Sequence, residues 1–415
     1  MRLILSLVLV LYVNQSALAT TLGKTGKIQE QVTISLNIIP TVRNAFYPIF
    51  AQFEEETGIL VVPQFVNDFT FAQRMDSWSK KEITPPDIMF GHNGERLKAL
   101  IEQDVVHSIE HLWSDNNWEN QFRSELVSGL SVKGKRYAVP FSVYTWGLFY
   151  KKSTIDKFGP VPKIWPQFLD YCQKLKNAGI APFIATQEQP YIAAAWFEYL
   201  VLRMHGLDLF NQIMTGELTY FDERIQSVFI ELKGMIDKGL FTTNYYDLNW
   251  EQYLPYFLRN KIGFLFLGTP IISRVFSDDI KKKIEFMPFP EIANIERYET
   301  SPTDVFFIAK NSENKQNAEK LIAYLARAQV QSHLAKYLYA SPANKNSVGR
   351  LDELTEVANE VMSSASGWSP FFDRGSAPQF ESEAVKVFAQ FFKTADISTM
   401  TKELEYLRLL FYPAI

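Results

Sequence analysis

Strand-length apolar runs alternate with helix-length segments from Val32 to Ala309. A chain patterned in this way buries both element types by laying helices over a largely parallel sheet. Val32-Thr33-Ile34-Ser35-Leu36-Asn37-Ile38 alternates like a strand, Ala45 to Glu56 carries apolar residues at helical spacing and stops at Gly58, and Leu60-Val61-Val62 opens a second strand. Pro86 to Phe90 reads as a third strand ending at Gly91, and Glu95 to Gln103 as the helix after it. From about Tyr137 the alternation restarts. It predicts a strand through Trp146 to Tyr150, a helix from Trp165 to Ala178 closed by Gly179, one from Tyr191 to His205 closed by Gly206, and one capped by Asp222 that runs to Lys238. Ile262 to Phe266, Ile284 to Pro288 and Asp304 to Ala309 are later strands, and the tail from Asp352 is helical. There is no internal repeat and no long Pro/Ser linker, so two α/β lobes interlocked by several crossovers are expected.

At about 100 to 200 residues per domain, 415 residues imply two or three domains, each able to bury a core, with two as the working number. Forty-two Lys and Arg against 46 Asp and Glu give a net charge of −4, with no basic stripe interleaved with aromatics. The phosphate electrostatics that a nucleic-acid partner requires are missing. Residues 1–19 join Arg2, an apolar run from Leu3 to Val13, and Ala17-Leu18-Ala19. This reads as a secretory signal cleaved after Ala19, and the apolar run is too short to span a bilayer. The lone cysteine, Cys172, excludes an intrachain disulfide, and no cysteine near the cleavage site offers a lipid attachment. The expectation is a soluble, unlipidated, monomeric protein of a bacterial periplasm.

Motifs of catalysis are scarce. His107-Ser108-Ile109-Glu110-His111 matches H-x-x-E-H, in which two histidines on one helix would bind zinc and the glutamate would activate water. Asp104-Val105-Val106 upstream reads as loop and strand rather than long helix, so two exposed histidines on a surface turn are the preferred reading and a zinc peptidase the remote one. G-x-S-x-G, a phosphate loop and G-x-G-x-x-G are absent from the sequence. Acidic neighbours such as Glu54-Glu55-Glu56 point to different faces of a helix and make no glycosidase pair. No catalytic residue, metal or cofactor is expected.

Aromatic and planar polar residues crowd the predicted strand ends: Tyr144 and Trp146; Glu188, Tyr191 and Trp196; Trp368 and Asp373. A sugar packs its C–H face on an aromatic ring, and its hydroxyls are bridged by the two-pronged side chains of Asn, Asp, Glu and Arg. In open α/β sheets such ligands sit beyond the carboxyl ends of strands. The segments Pro40 to Asn44 (with Arg43), His92 to Glu95 and Gly268 to Ile271 (with Thr269) therefore join the candidates.

Taken in order, "FAQFEEETGILV", "PPDIMFGHNGERLKALIEQDVV", "YAVPFSVYTWGLFYKKSTIDKFGPVPKIWPQFLDYCQKLKNAGIAPF", "FLRNKIGFLFLGTP", "FFIAKNSENKQNAEKLIAYLA" and "YASPANKNS" resemble the extracellular solute-binding proteins of ABC importers, the family of maltose-binding protein. The resemblance covers nearly the whole mature chain. It implies the two-lobed type II periplasmic binding fold, each lobe a mostly parallel sheet flanked by helices. Lobe 1 would comprise 30–140 and 302–340, and lobe 2 141–301 and 341–415, with crossovers around Pro140, Ser301 to Asp304 and Ala340 to Pro342. It also implies a mono- or oligosaccharide captured by hinge closure and delivered to inner-membrane permease subunits.

Carried over by position, Asn93 and Glu95 would supply first-lobe contacts, Tyr144 a hinge-side contact, Glu188 and Tyr191 a second-lobe wall, and Trp368 a C-terminal aromatic contact. Where some sugar binders have tryptophan after a glycine turn, this chain has Gly268-Thr269-Pro270-Ile271, which argues against maltose. Relatives carry polyamines, phosphodiesters or ferric iron, so a non-sugar solute is the alternative, as is a ligand sensor docking on a membrane receptor.

Overall fold

The computed structural model describes residues 30–412 except 39, 67, 129 and 349–351; the expected signal segment 1–19 lies outside them. In chain order the elements that position the site are β1 (Gln31–Asn37), α1 (Phe46–Thr57), β2 (Leu60–Val66), β3 (Ile88–His92), α2 (Glu95–Glu102) and β4 (Ala138–Val143). Then come β5 (Trp146–Lys151), α3 (Trp165–Asn177), α4 (Tyr191–Met204), β6 (Phe264–Gly268), β7 (Ile284–Met287) and β8 (Tyr298–Thr300). The chain continues through β9 (Thr303–Ala309), α5 (Lys315–Leu325), β10 (Gly367–Ser369), α6 (Phe372–Gly375) and α7 (Pro378–Thr394).

Two separate hydrophobic cores form. One runs from Val32 to Val143 and resumes from Val305 to Ala343; the other runs from Trp146 to Phe289 and resumes from Leu354 to Leu404. Local signals account for the boundaries of the first elements. Helix α1 buries Phe46, Ile49, Phe50 and Phe53 and stops because Gly58 takes a left-handed φ of 74°, which lets its N–H return to the Glu54 carbonyl. In the second lobe α4 is buried around its whole circumference from Ile192 to Arg203, the signature of a helix that runs through a core rather than over it. Its buried Arg203 pairs with the equally buried Glu299 of β8 at 2.6 Å and ties the second-lobe core to the crossover strand.

The sheets are mixed, which corrects the expectation of mostly parallel ones. In the first lobe β1 is parallel to β2 and β3, but β9 runs antiparallel between β3 and β4. In the second lobe β6 and β7 flank β5, both antiparallel to it. The reason is connectivity: β9 re-enters the first sheet from the other lobe, so it starts at the edge where β3 ends.

Candidate functional site

The reversed direction of β9 builds the floor of the site. At its start Asp304 lies opposite His92 of β3 on one side and Ser142 of β4 on the other, with a register irregularity just after it. The carboxylate is used from both sides: His92 Nδ1 is 3.0 Å from Oδ1, and the Ser142 hydroxyl donates to Oδ2 at 2.6 Å. Burial would raise the Asp304 pKa, but the His92 and Ser142 hydrogen bonds and the Arg374 charge together hold it below the ordinary value. His92 is held low by burial and then by the same guanidinium, so the imidazole is neutral near pH 7 and donates from Nδ1.

Above this floor Arg374 of α6 reaches across. It donates from Nη2 to the Tyr144 hydroxyl at 2.7 Å, and its guanidinium carbon lies 5.6 Å from the Tyr144 ring centre and 5.5 Å from that of Phe371. Tyr144 packs against both cores, so this contact sits where the lobes meet. Burial pushes the Tyr144 phenol up strongly, leaving a neutral hydroxyl.

Lobe-to-lobe contact continues at two points. A side chain on Gly94, at φ 136°, would place its Cβ 2.2 Å from the Arg374 carbonyl oxygen, so only glycine admits this approach. Two residues on, in the first turn of α2, Arg96 forms an ion pair with Glu381 of α7, which is 4% exposed.

Beside Arg374, Trp146, Tyr191, Phe371, Phe372, Asp373 and Glu198 line a narrow crevice of about 10 Å³. Trp146 meets Tyr191 and Phe371 edge-on, with ring centres 6.2 and 5.2 Å apart. Glu198 is 2% exposed and accepts from the Phe372 N–H at 2.7 Å. Burial raises its carboxyl well above the usual range, which favours the protonated form. Two buried polar atoms here have no protein partner: the Asn93 Oδ1 acceptor and the Arg374 Nη1 donor.

The sequence candidates divide. Tyr144 meets Arg374 and Phe371, Trp146, Tyr191 and Asp373 line the crevice beside them, and Asn93 precedes the Gly94 that abuts Arg374. Glu95 opens α2 but its carboxylate turns to Lys98 at 3.4 Å. Arg43 stays within its own lobe, bonded to the Ile38 carbonyl and lying over Phe65. Glu188 is exposed.

Three further candidates are partly or wholly buried. Trp196, 2% exposed, is second-lobe core, with the Phe183 and Phe266 ring centres 4.6 and 4.9 Å away. Thr269 is buried, and its N–H donates to the Thr145 carbonyl. Trp368 is half-buried against the first-lobe core; its indole N–H donates to the Met362 carbonyl and Arg123 lies over its ring.

His107 ends a short strand, Val106–His107, whereas Glu110 and His111 begin the helix Glu110–Asp115. Glu110 bonds Arg136, and both imidazoles face Glu319 of α5, at 3.7 and 3.3 Å. The one-helix zinc arrangement is therefore not formed, and among the described residues no group of three or more His, Cys, Asp or Glu is arranged to hold a metal.

Sequence reasoning placed His92 in a candidate segment but missed Arg96, Ser142, Glu198, Asp304, Arg374 and Glu381. Arg374 adjoins the candidate Asp373, and that adjacency was the available signal. Glu198 and Glu381 carried none, since a single acid in an apolar helix does not reveal what it faces.

A profile of bacterial extracellular solute-binding proteins matches residues 40–332. An uncharacterized ABC transporter extracellular-binding protein of Pyrococcus horikoshii is 24% identical over 231 residues, 54% of this chain and 53% of that protein. The chain matches between 33% and 60% of the length of the curated relatives. Among solved structures, the bacterial solute receptor AcbH, with an exclusive substrate preference for β-D-galactopyranose, superposes with a TM-score of 0.85 at 21% identity, covering 92% of this chain and 100% of that one. A chitin oligosaccharide binding protein superposes with a TM-score of 0.81 at 17% identity, covering 92% and 99%. At such identities the likeness shows the two-lobed fold. No helix among the described residues is long and apolar enough to cross a membrane.

Proposed function

This chain belongs to the family of bacterial extracellular solute-binding proteins, and on that premise we propose that it captures a carbohydrate between its lobes and delivers it to the permease of an ABC importer. The observation that carries the carbohydrate reading is the pair of buried, unpartnered atoms of opposite character, Asn93 Oδ1 and Arg374 Nη1. Leaving either unsatisfied costs about 1 to 3 kcal/mol, so a fitting ligand presents a donor to one and an acceptor to the other. A hydroxyl does both. A polyamine offers only donors and would sit beside the Arg374 cation; a phosphodiester offers only acceptors and would face Asp373 and the oxygen of Asn93. The aromatic walls of Trp146, Tyr191 and Phe371 suit the C–H face of a sugar ring. The solved relatives with stated carbohydrate ligands agree with this reading.

In this mechanism the residues bind and orient; no bond is made or broken. The ligand touches Asn93 from the first lobe and Arg374, Asp373 and Trp146 from the second, so the state in which both walls reach it is the one it stabilises. Closure rotates the lobes about the crossovers, and shifting a 1:99 balance to 99:1 needs about 5.5 kcal/mol of differential affinity. The permease recognises the closed pair. The protein works as a monomer in the periplasm after removal of residues 1–19, without lipid, nucleic acid or cofactor.

A thermal-shift panel of sugars, spermidine and phosphodiesters tests the reading. A sugar at a hundredfold excess over its Kd raises stability by about 2.7 kcal/mol, and small-angle scattering then shows a smaller radius of gyration. Stabilisation by spermidine or a phosphodiester alone overturns the carbohydrate assignment, and an unchanged radius at saturation overturns closure.

A further inference from the structure

We infer, resting on the reading of capture by lobe closure above, that Tyr199 is a positioning residue for closure: its hydroxyl fastens two crossovers to one second-lobe helix, so that they turn together and carry Arg374 with them. The first of these crossovers is Tyr144-Thr145, between β4 and β5, and the second is Ser301-Pro302, between β8 and β9. They run side by side: Val143 pairs with Thr303, and the Tyr144 N–H donates to the Pro302 carbonyl at 3.4 Å. Asp304 of β9 joins their first-lobe ends by accepting from Ser142 of β4 at 2.6 Å. At their second-lobe ends Tyr199 of α4 does the same. It donates to the carbonyl of Trp146, the first residue of β5, at 3.2 Å, and accepts from the hydroxyl of Thr300, the last residue of β8, at 3.1 Å, both bonds being buried. A phenol has one proton to give and lone pairs to accept, and here each function is used on a different crossover.

One turn along α4, Arg203 extends the anchorage by bonding the Tyr298 carbonyl and pairing with Glu299 at 2.6 Å. With both ends held, the dihedral changes of closure fall on Tyr144-Thr145 and Ser301-Pro302, the few residues a hinge needs. The binding segment rides on the same pair of strands. β8 lies parallel to β10, and the Ser301 N–H donates to the Ser369 carbonyl at 2.8 Å; beyond Ser369 the chain enters α6, whose Arg374 reaches back to Tyr144 on the first crossover. Tyr144, Arg374, β10, β8, Tyr199 and Trp146 therefore form a closed circuit of contacts, and loosening it at Tyr199 loosens the placement of Arg374 from a distance. The Tyr199 ring itself packs in the second-lobe core, with the Phe266 and Phe289 ring centres 5.2 and 5.5 Å away, so the hydroxyl can be removed while the packing stays.

Tyr199→Phe and Thr300→Val each break this link and keep the shape of the side chain. Tyr171→Phe is the control, because its hydroxyl donates within the second lobe to the Ile155 carbonyl, away from the crossovers. Hydrogen–deuterium exchange of the mature chain without added sugar is expected to rise at least fivefold in peptides covering 300–303 and 369–375 in both variants. Tyr171→Phe should show no such rise, and neither variant should raise exchange in the second-lobe helix Glu223–Asp237, which a merely structural loss would raise as well. Titration calorimetry with D-galactose, D-glucose and maltose should show the affinity of whichever binds wild type falling at least fivefold in Tyr199→Phe and unchanged in Tyr171→Phe. Exchange in the two peptides that matches wild type, or that rises as much in Tyr171→Phe, overturns the positioning role and leaves the carbohydrate reading standing. A wild type that binds none of these sugars counts against the carbohydrate reading alone, since the exchange comparison decides the role of Tyr199 without them.

Discussion

Arg374 Nη2 donates to the Tyr144 hydroxyl at 2.7 Å while the guanidinium lies over the same ring, so one side chain from the second lobe is held by a residue that packs against both cores. The hydrogen bond fixes which nitrogen is left over. With Nη2 committed to Tyr144, Nη1 is the buried donor left without a protein partner, the one proposed to meet the ligand. Tyr144→Phe keeps the ring and loses the acceptor. Ligand affinity measured by titration calorimetry should fall by about 1.5 to 3 kcal/mol, the range for hydrogen bonds to charged groups, with little change in the unliganded melting temperature.

Gly94→Ala should separate the lobes. Its Cβ would stand 2.2 Å from the Arg374 carbonyl, and that backbone oxygen cannot move away as a flexible side chain would. Affinity is expected to drop at least tenfold, and scattering at saturating ligand should give a larger radius of gyration than the wild type. An affinity equal to wild type would show that the lobes need not meet here.

Trp196→Ala addresses the core assignment. Burial among Phe183, Phe241 and Phe266 makes this a large-to-small change costing about 3 to 5 kcal/mol of stability. Thermal denaturation should show a marked loss, while the folded fraction binds ligand with near wild-type affinity.

Glu198→Gln isolates a buried carboxyl. Its folded pKa is raised by burial, so its contribution to stability is complete below the unfolded value of about 4.3 and is lost as pH rises towards the folded pKa. The glutamine oxygen still accepts from the Phe372 N–H. The variant should melt higher than wild type at pH 8, and the difference should vanish near pH 4.

His92 has the opposite sign. Its folded pKa is lowered by burial and Arg374, so below about pH 6.5 the unfolded chain binds more protons and stability falls with pH. His92→Asn retains a donor towards Asp304 and cannot titrate. Denaturant titrations between pH 7 and pH 5 should show wild type losing stability relative to the variant.

Much of the architecture was legible because it is written in local periodicity. Alternation over Val32 to Ile38 and the stop at Gly58 report on neighbours a few residues away, and the structure has β1, α1 and β2 where that pattern puts them. Trp196 illustrates the opposite case. It stands five residues after Tyr191 on one helix, yet Tyr191 lines the pocket and Trp196 lies in the core, because α4 is enclosed on all sides and apolarity alone cannot say which side faces the cleft.

By itself, then, the sequence determined the element types, the presence of two lobes, the family, and the neighbourhoods around Asn93, Tyr144 and Asp373, all of which depend on interactions between residues close in the chain. Tertiary structure decided the rest. The direction of β9 brought Asp304 between His92 and Ser142, residues separated from it by 212 and 162 positions. The meeting of the lobes paired Arg96 with Glu381, 285 positions apart. Such pairings depend on how crossovers return the chain to a sheet. That is a property of the packed whole, because each depends on burying both cores at once, and no local segment carries the signal.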